Sequence, residues 1–153
     1  METKKAVKIA VALSTIVAFI SLNPMILGLL TSSVQIGNTG TIKAVGVGVY
    51  WNSACTNTTT SLPWGNVDPG SNKTFIVYVK NVANTAETLS LSTSNWSPTQ
   101  AASYITLSWN YTAGTALNPG QVMKLGLKLS VSSSITGIDT FSLTVVITGT
   151  EKP

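Results

Sequence analysis

Few residues of this 153-residue chain are of types that carry chemistry, and those types exclude more than they suggest. There is no histidine. That removes the commonest general base, any Ser-His or Cys-His nucleophile pair, and the imidazole ligands of zinc or copper sites. Beyond Ser33 the acids are Asp68, Glu87, Asp139 and Glu151, each isolated in sequence, with Asp68 inside an Asp-Pro-Gly turn. They read as turn-forming and solubilising groups, not as a glycosidase pair, and no run of oxygen ligands resembles a calcium loop. The expectation is a protein that is not an enzyme, with no catalytic residue, metal or cofactor.

Three other residue types bear on binding or modification. A single cysteine, Cys55, has no intrachain partner, so it is either a small inert side chain or a thiol for a bridge between subunits. Trp51, Trp64, Trp96 and Trp109 suit either core packing or a stacking platform for glycans. Trp51 and Trp109 end apolar strand faces, whereas Trp64 and Trp96, near Gly65 and Pro98, are expected in exposed loops. Asn57, Asn72, Asn95 and Asn110 each open an Asn-x-Ser/Thr acceptor sequence. At least one is expected to be glycosylated, with Asn57 and Asn72 the most exposed.

The elements that position these residues are strands. The chain is 44% hydrophobic and 9% charged, too apolar for disorder, and its polar remainder is rich in Ser, Thr and Asn. Apolar residues recur with period two, punctuated by Gly, Pro and Asn, the pattern of an antiparallel sandwich or jelly roll. Strands are expected over 41–51, 73–81, 87–92, 104–110, 121–132 and 140–148, six or seven in all. In 73–81 both faces are apolar, which predicts a central strand. In 121–132, Leu125, Leu127, Leu129 and Val131 alternate with Lys124, Gly126, Lys128 and Ser130, so one face is core and one is solvent.

The formal charge of +4 is misleading, since Lys4, Lys5 and Lys8 belong to the leader; six later lysines against four acids leave +2. With no arginine and no basic cluster after Lys8, nucleic-acid binding has no source of phosphate contacts. Residues 1–33 read as a cleaved signal peptide: a basic start, an apolar run over 9–20, and Thr31-Ser32-Ser33 before a cut between Ser33 and Val34. Two alternatives stay open, an uncleaved anchor over 9–30 and a pilin-type cut near Ala6. Cleavage makes the protein secreted, meeting the membrane only during export.

Val34, Gln35, Ile36, Gly37, Asn38, Thr39, Gly40 and Thr41 then form the mature N-terminus. Their spaced apolar residues fit an ordinary edge strand, or a donor strand that completes the sheet of the next subunit. Residue pattern alone does not choose between the two.

An ordered set of short motifs bears on that choice: Gly37-Asn38-Thr39-Gly40-Thr41-Ile42, Gly46-Val47-Gly48-Val49-Tyr50-Trp51, Trp64-Gly65 with Asp68-Pro69-Gly70-Ser71, Tyr78-Val79-Lys80-Asn81, and Asn95-Trp96-Ser97-Pro98. Spread over 34–149, the set resembles the archaeal bundling pilins, which are similar in turn to the TasA and camelysin group of biofilm matrix proteins. The resemblance implies a jelly-roll-like antiparallel β-sandwich over 42–153, a donor strand over 34–41, and an extracellular filament. Its partners would be identical subunits joined head to tail and neighbouring filaments in bundles. The long, Pro-interrupted leader departs from a compact signal peptide. The other function in view is a membrane-anchored or surface-layer-associated module that binds glycans through its loop tryptophans.

Overall fold

Alternating side chains at period two build strands whose buried faces must meet, and the structure, a computed structural model, describes residues 37–153 as two such sheets packed together. The signal peptide 1–33, its cleavage point at Ser33 and Val34, and the first three donor residues, Val34, Gln35 and Ile36, lie outside the described residues.

The strands are β1 (Gly37–Val45), β2 (Val47–Tyr50), β3 (Ser61–Leu62), β4 (Asn72–Asn81), β5 (Glu87–Ser97), β6 (Ile105–Trp109), β7 (Val122–Val131) and β8 (Thr140–Glu151), with a 3-10 turn at Thr99–Ser103. One sheet has the order β3-β1-β8-β5 and the other β2-β4-β7-β6. This is an all-β sandwich of four strands on four. Pairing is antiparallel throughout the described residues except between β1 and β8, which run parallel.

The core lies between the sheets. Val77 and Val79 of β4 and Leu125, Leu127, Leu129 and Val131 of β7 face Phe141, Leu143, Val145 and Ile147 of β8. Each such side chain contributes about 1.5–3 kcal/mol by leaving water. β4 is central, as its two apolar faces predict, although Ile76 on the outer face is exposed. Asp68-Pro69-Gly70 and Asn118-Pro119-Gly120 close turns before β4 and β7, with Gly70 and Gly120 at φ of 76° and 73°.

The single strand expected over 41–51 is two. Gly46, at φ 75°, turns the chain from the first sheet into the second, so the alternation that looks continuous from Val45 to Val49 crosses a corner. Val45 is 44% exposed and Val47 is 6% exposed. A Cβ on Gly46 would lie 3.0 Å from Glu87 Oε1 and 3.1 Å from the Gly149 carbonyl oxygen. Gly46→Ala is therefore expected to cost about 1–2 kcal/mol for the left-handed backbone, plus an overpacking penalty, read as a lower denaturation midpoint with unchanged slope.

Asn81, fully buried, ties the ends of two loops together. Its Nδ2 donates to the carbonyls of Thr85 at 2.8 Å and Leu117 at 2.7 Å, and its Oδ1 accepts from Ala83 N at 2.8 Å. Nothing in a Lys-Asn strand end signals that role.

Candidate assembly site

Five of the expected donor residues, Gly37 to Thr41, open β1. The strand continues without a break through Ile42 to Val45, so the 41/42 boundary is not marked by any change in structure. β1 lies between β3 and β8 within its own chain. Against β8 it has nine partners in register, from Gly37↔Thr140 to Val45↔Thr148, and against β3 only two, Gly40↔Leu62 and Thr41↔Ser61. One long backbone ladder and one very short one hold it.

Asn38, Gly40 and Ile42 are buried, while Thr39, Thr41 and Lys43 are exposed. Only Ile42 of the inner three brings a large apolar group. Asn38 is 8% exposed, and neither its Nδ2 nor its Oδ1 has a hydrogen-bond partner. At Gly40 the missing side chain makes room for Trp64: a Cβ there would lie 2.9 Å from Trp64 Nε1 and 3.7 Å from Leu143 Cδ2. That indole N–H is itself fully buried and unpartnered. A buried polar group without a partner costs about 1–3 kcal/mol, so the inner face of β1 is the least satisfied part of the sandwich.

At the start of β1 a depression of about 430 Å³ is lined by Asn38, Thr39, Ser97, Pro98, Phe141 and neighbouring hydroxyls of β8. A second, of about 340 Å³, lies on the outer face of the other sheet among Thr74, Ile76, Ser108, Trp109, Asn110 and Lys128. Neither contains an acid. The β5–β8 ladder does set Glu87 opposite Glu151, two carboxylates 64 positions apart in sequence, with Glu87 buried and its Oε2 unpartnered. Asp68 and Asp139 are exposed. Among the described residues no three His, Cys, Asp or Glu side chains gather as a metal site, and no helix is long and apolar enough to cross a membrane.

Trp64 overturns its expected exposure. It is fully buried, packed against Phe75 with ring centroids 4.9 Å apart, and its carbonyl accepts from Lys73 Nζ at 2.7 Å. Trp96 is half-buried on β5, near Phe141, and Trp51 and Trp109 are also half-buried. Buried apolar side chains in two-residue phase, Leu62 and Trp64, are the signal that a Pro-Trp-Gly loop concealed. Cys55 is a free, half-buried thiol in the 51–57 loop, its Sγ–H donating to the Ser53 carbonyl at 3.7 Å.

All four acceptor asparagines are exposed, Asn57 in a loop, Asn72 at the first position of β4, Asn95 at a bulge of β5 and Asn110 just after β6. They differ in what the side chain does. Asn95 Nδ2 donates to Thr144 Oγ1 at 3.2 Å, whereas Asn110 Oδ1 accepts from Gly126 N at 2.8 Å. The chain matches no protein-family model and no curated protein.

Proposed function

We propose that this protein is the structural subunit of an extracellular filament, polymerised when β1 of one subunit completes the sheet of the next. The observation that carries the reading is the state of β1: the first described strand, joined to the rest of the sandwich through Gly46, held by a parallel backbone ladder on β8, and poorly satisfied on its inner face. Taking β1 away leaves a nine-partner edge along β8 beside the fully buried Trp64 and Leu143. Backbone pairing is indifferent to which chain supplies the strand. A second copy can therefore offer the same hydrogen bonds and the same side chains, which makes exchange between protomers a low-cost route to assembly.

Because the strand that a subunit would give differs from the β8 edge that it would receive on, the contact is heterologous and extends into a filament unless it closes. In sequence, Val34 and Ile36 continue the two-residue spacing of Asn38, Gly40 and Ile42. The scarcity of acids and the lack of histidine support a role without catalysis. The resemblance to archaeal bundling pilins supports the same reading, with secretion after cleavage at Ser33, head-to-tail homopolymers and lateral bundling in biofilms.

Deleting 34–41 from the mature protein is the direct test. Negative-stain electron microscopy is expected to show no filaments, and a synthetic peptide of 34–45 added in trans is expected to raise the melting temperature of the truncated protein without restoring polymers. Filaments of normal length from the truncated protein would refute the proposal.

A further inference from the structure

The outer face of the second sheet has a feature that assembly through β1 does not use. In the middle of β7, between Lys124 and Lys128, Gly126 leaves a notch; a Cβ there would sit 3.5 Å from Thr74 Cγ2 and 3.7 Å from Ile76 Cδ1. Ile76 beside it is 41% exposed, unusual for a large aliphatic side chain on a central strand. The depression of about 340 Å³ is lined by Thr74, Ile76, Ser108, Gly126 and Lys128 and ends at Trp109 and Asn110.

Asn110 opens Asn110-Tyr111-Thr112 and is held in a defined orientation. A backbone N–H can only donate, so the side-chain atom 2.8 Å from Gly126 N must be the carboxamide oxygen. Nδ2, the atom that carries N-linked sugars, is thereby the outward end. The acceptor segment is itself anchored: Tyr111 packs on Trp109 at 5.2 Å between centroids, its hydroxyl donates to the Thr115 carbonyl at 2.5 Å and accepts from Leu89 N at 3.0 Å.

We infer that Asn110 is an N-glycosylation site whose first sugar lies in the depression formed by Ile76, Gly126 and Lys128. A pyranose has an apolar C–H face to cover Ile76, and hydroxyls that reach Ser108, Thr74 and Lys128. The covalent step is transfer from a lipid-linked oligosaccharide phosphate. A bond forms between Nδ2 and the anomeric carbon, the carbon–oxygen bond to the phosphate breaks with its electron pair leaving on that oxygen, and Nδ2 gives up one proton to the transferase. Asn95 meets the same sequence rule, but its nitrogen is already engaged with Thr144. The inference rests on the proposed function only for export to where such transfer occurs.

The test uses protein secreted by its native host. The tryptic peptide 81–124 contains both Asn95 and Asn110, and electron-transfer fragmentation is expected to place a sugar on Asn110 at several-fold higher occupancy than on Asn95. Thr112→Ala, which keeps the Asn110–Gly126 hydrogen bond, is expected to abolish the modification at Asn110 and to increase bis-ANS binding several-fold; Thr112→Ser is expected to restore both to wild-type values. An unmodified Asn110 in exported wild-type protein overturns the inference and leaves the filament reading standing. So does a modified Asn110 whose loss leaves dye binding unchanged, because the sugar then does not cover the apolar depression. Protein retained in the cytoplasm sinks the filament reading instead.

Discussion

Trp64→Ala is expected to lower the unfolding free energy by about 3–5 kcal/mol, the cost of removing a large buried aromatic side chain from a core that cannot close over the gap. Since small domains hold only about 5–15 kcal/mol in total, the variant should sit near the edge of folding, with a denaturant midpoint far below wild type. The indole fills the space between Phe75 and the first sheet, and its position explains a glycine in β1: any side chain at Gly40 meets the ring, with Cβ 2.9 Å from Nε1. Two consequences separate this account from a generic core defect. Trp64→Phe should cost much less than Trp64→Ala, because it keeps a ring and deletes an N–H that has no partner. Gly40→Ala should be destabilising by about 1–3 kcal/mol in the wild type but nearly silent in the Trp64→Ala background, a coupling that a double-mutant cycle measures directly. Additive effects would mean that the two positions do not share a cavity.

The same pair shows where reading the residues stops. β7 and β8 were legible because each has one face in the core and one toward water, so Leu125 to Val131 and Phe141 to Ile147 announce both strand and orientation. β4 was legible as central for the complementary reason. β5 runs five residues past its expected end at Ser92, through Ser and Thr whose backbones pair with β8 without any apolar demand on their side chains. The Gly46 corner was hidden because alternation survives it: Val45 and Val47 keep the same parity while one faces solvent and the other the core. Trp64 was hidden because flanking Pro63 and Gly65 suggest a loop, and a loop that dives beneath a sheet looks, residue by residue, like one that does not. The candidate site was only partly visible. The existence of an N-terminal strand followed from its pattern; its parallel pairing with the last strand, and the unpartnered carboxamide of Asn38 beneath it, depend on contacts across a hundred residues that no local pattern encodes.

That parallel pairing makes the origin of β1 in a filament measurable. Thr39 and Ser142 are partners in the β1–β8 register, and neighbouring strands lie about 4.7–4.9 Å apart, within reach of a short bifunctional thiol reagent. In a Cys55→Ser background, Thr39→Cys together with Ser142→Cys places one thiol on β1 and one on β8. Filaments assembled from this variant and then cross-linked are expected to run in denaturing gels as a ladder of covalent multimers, because the proposed strand donation puts the bridged residues in different subunits. The monomer pool cross-linked before assembly is expected to give an unshifted monomer band and to lose the ability to polymerise, since its own β1 is then locked to its own β8. A filament sample that yields only monomer bands, with the cross-link confirmed by mass spectrometry, means that β1 stays in the chain that made it. Filaments would then have to grow through another surface, and the unsatisfied inner face of β1 would be a local imperfection of the sandwich with no part in assembly. The two outcomes differ by the whole of the covalent ladder, so even inefficient bridging decides between them.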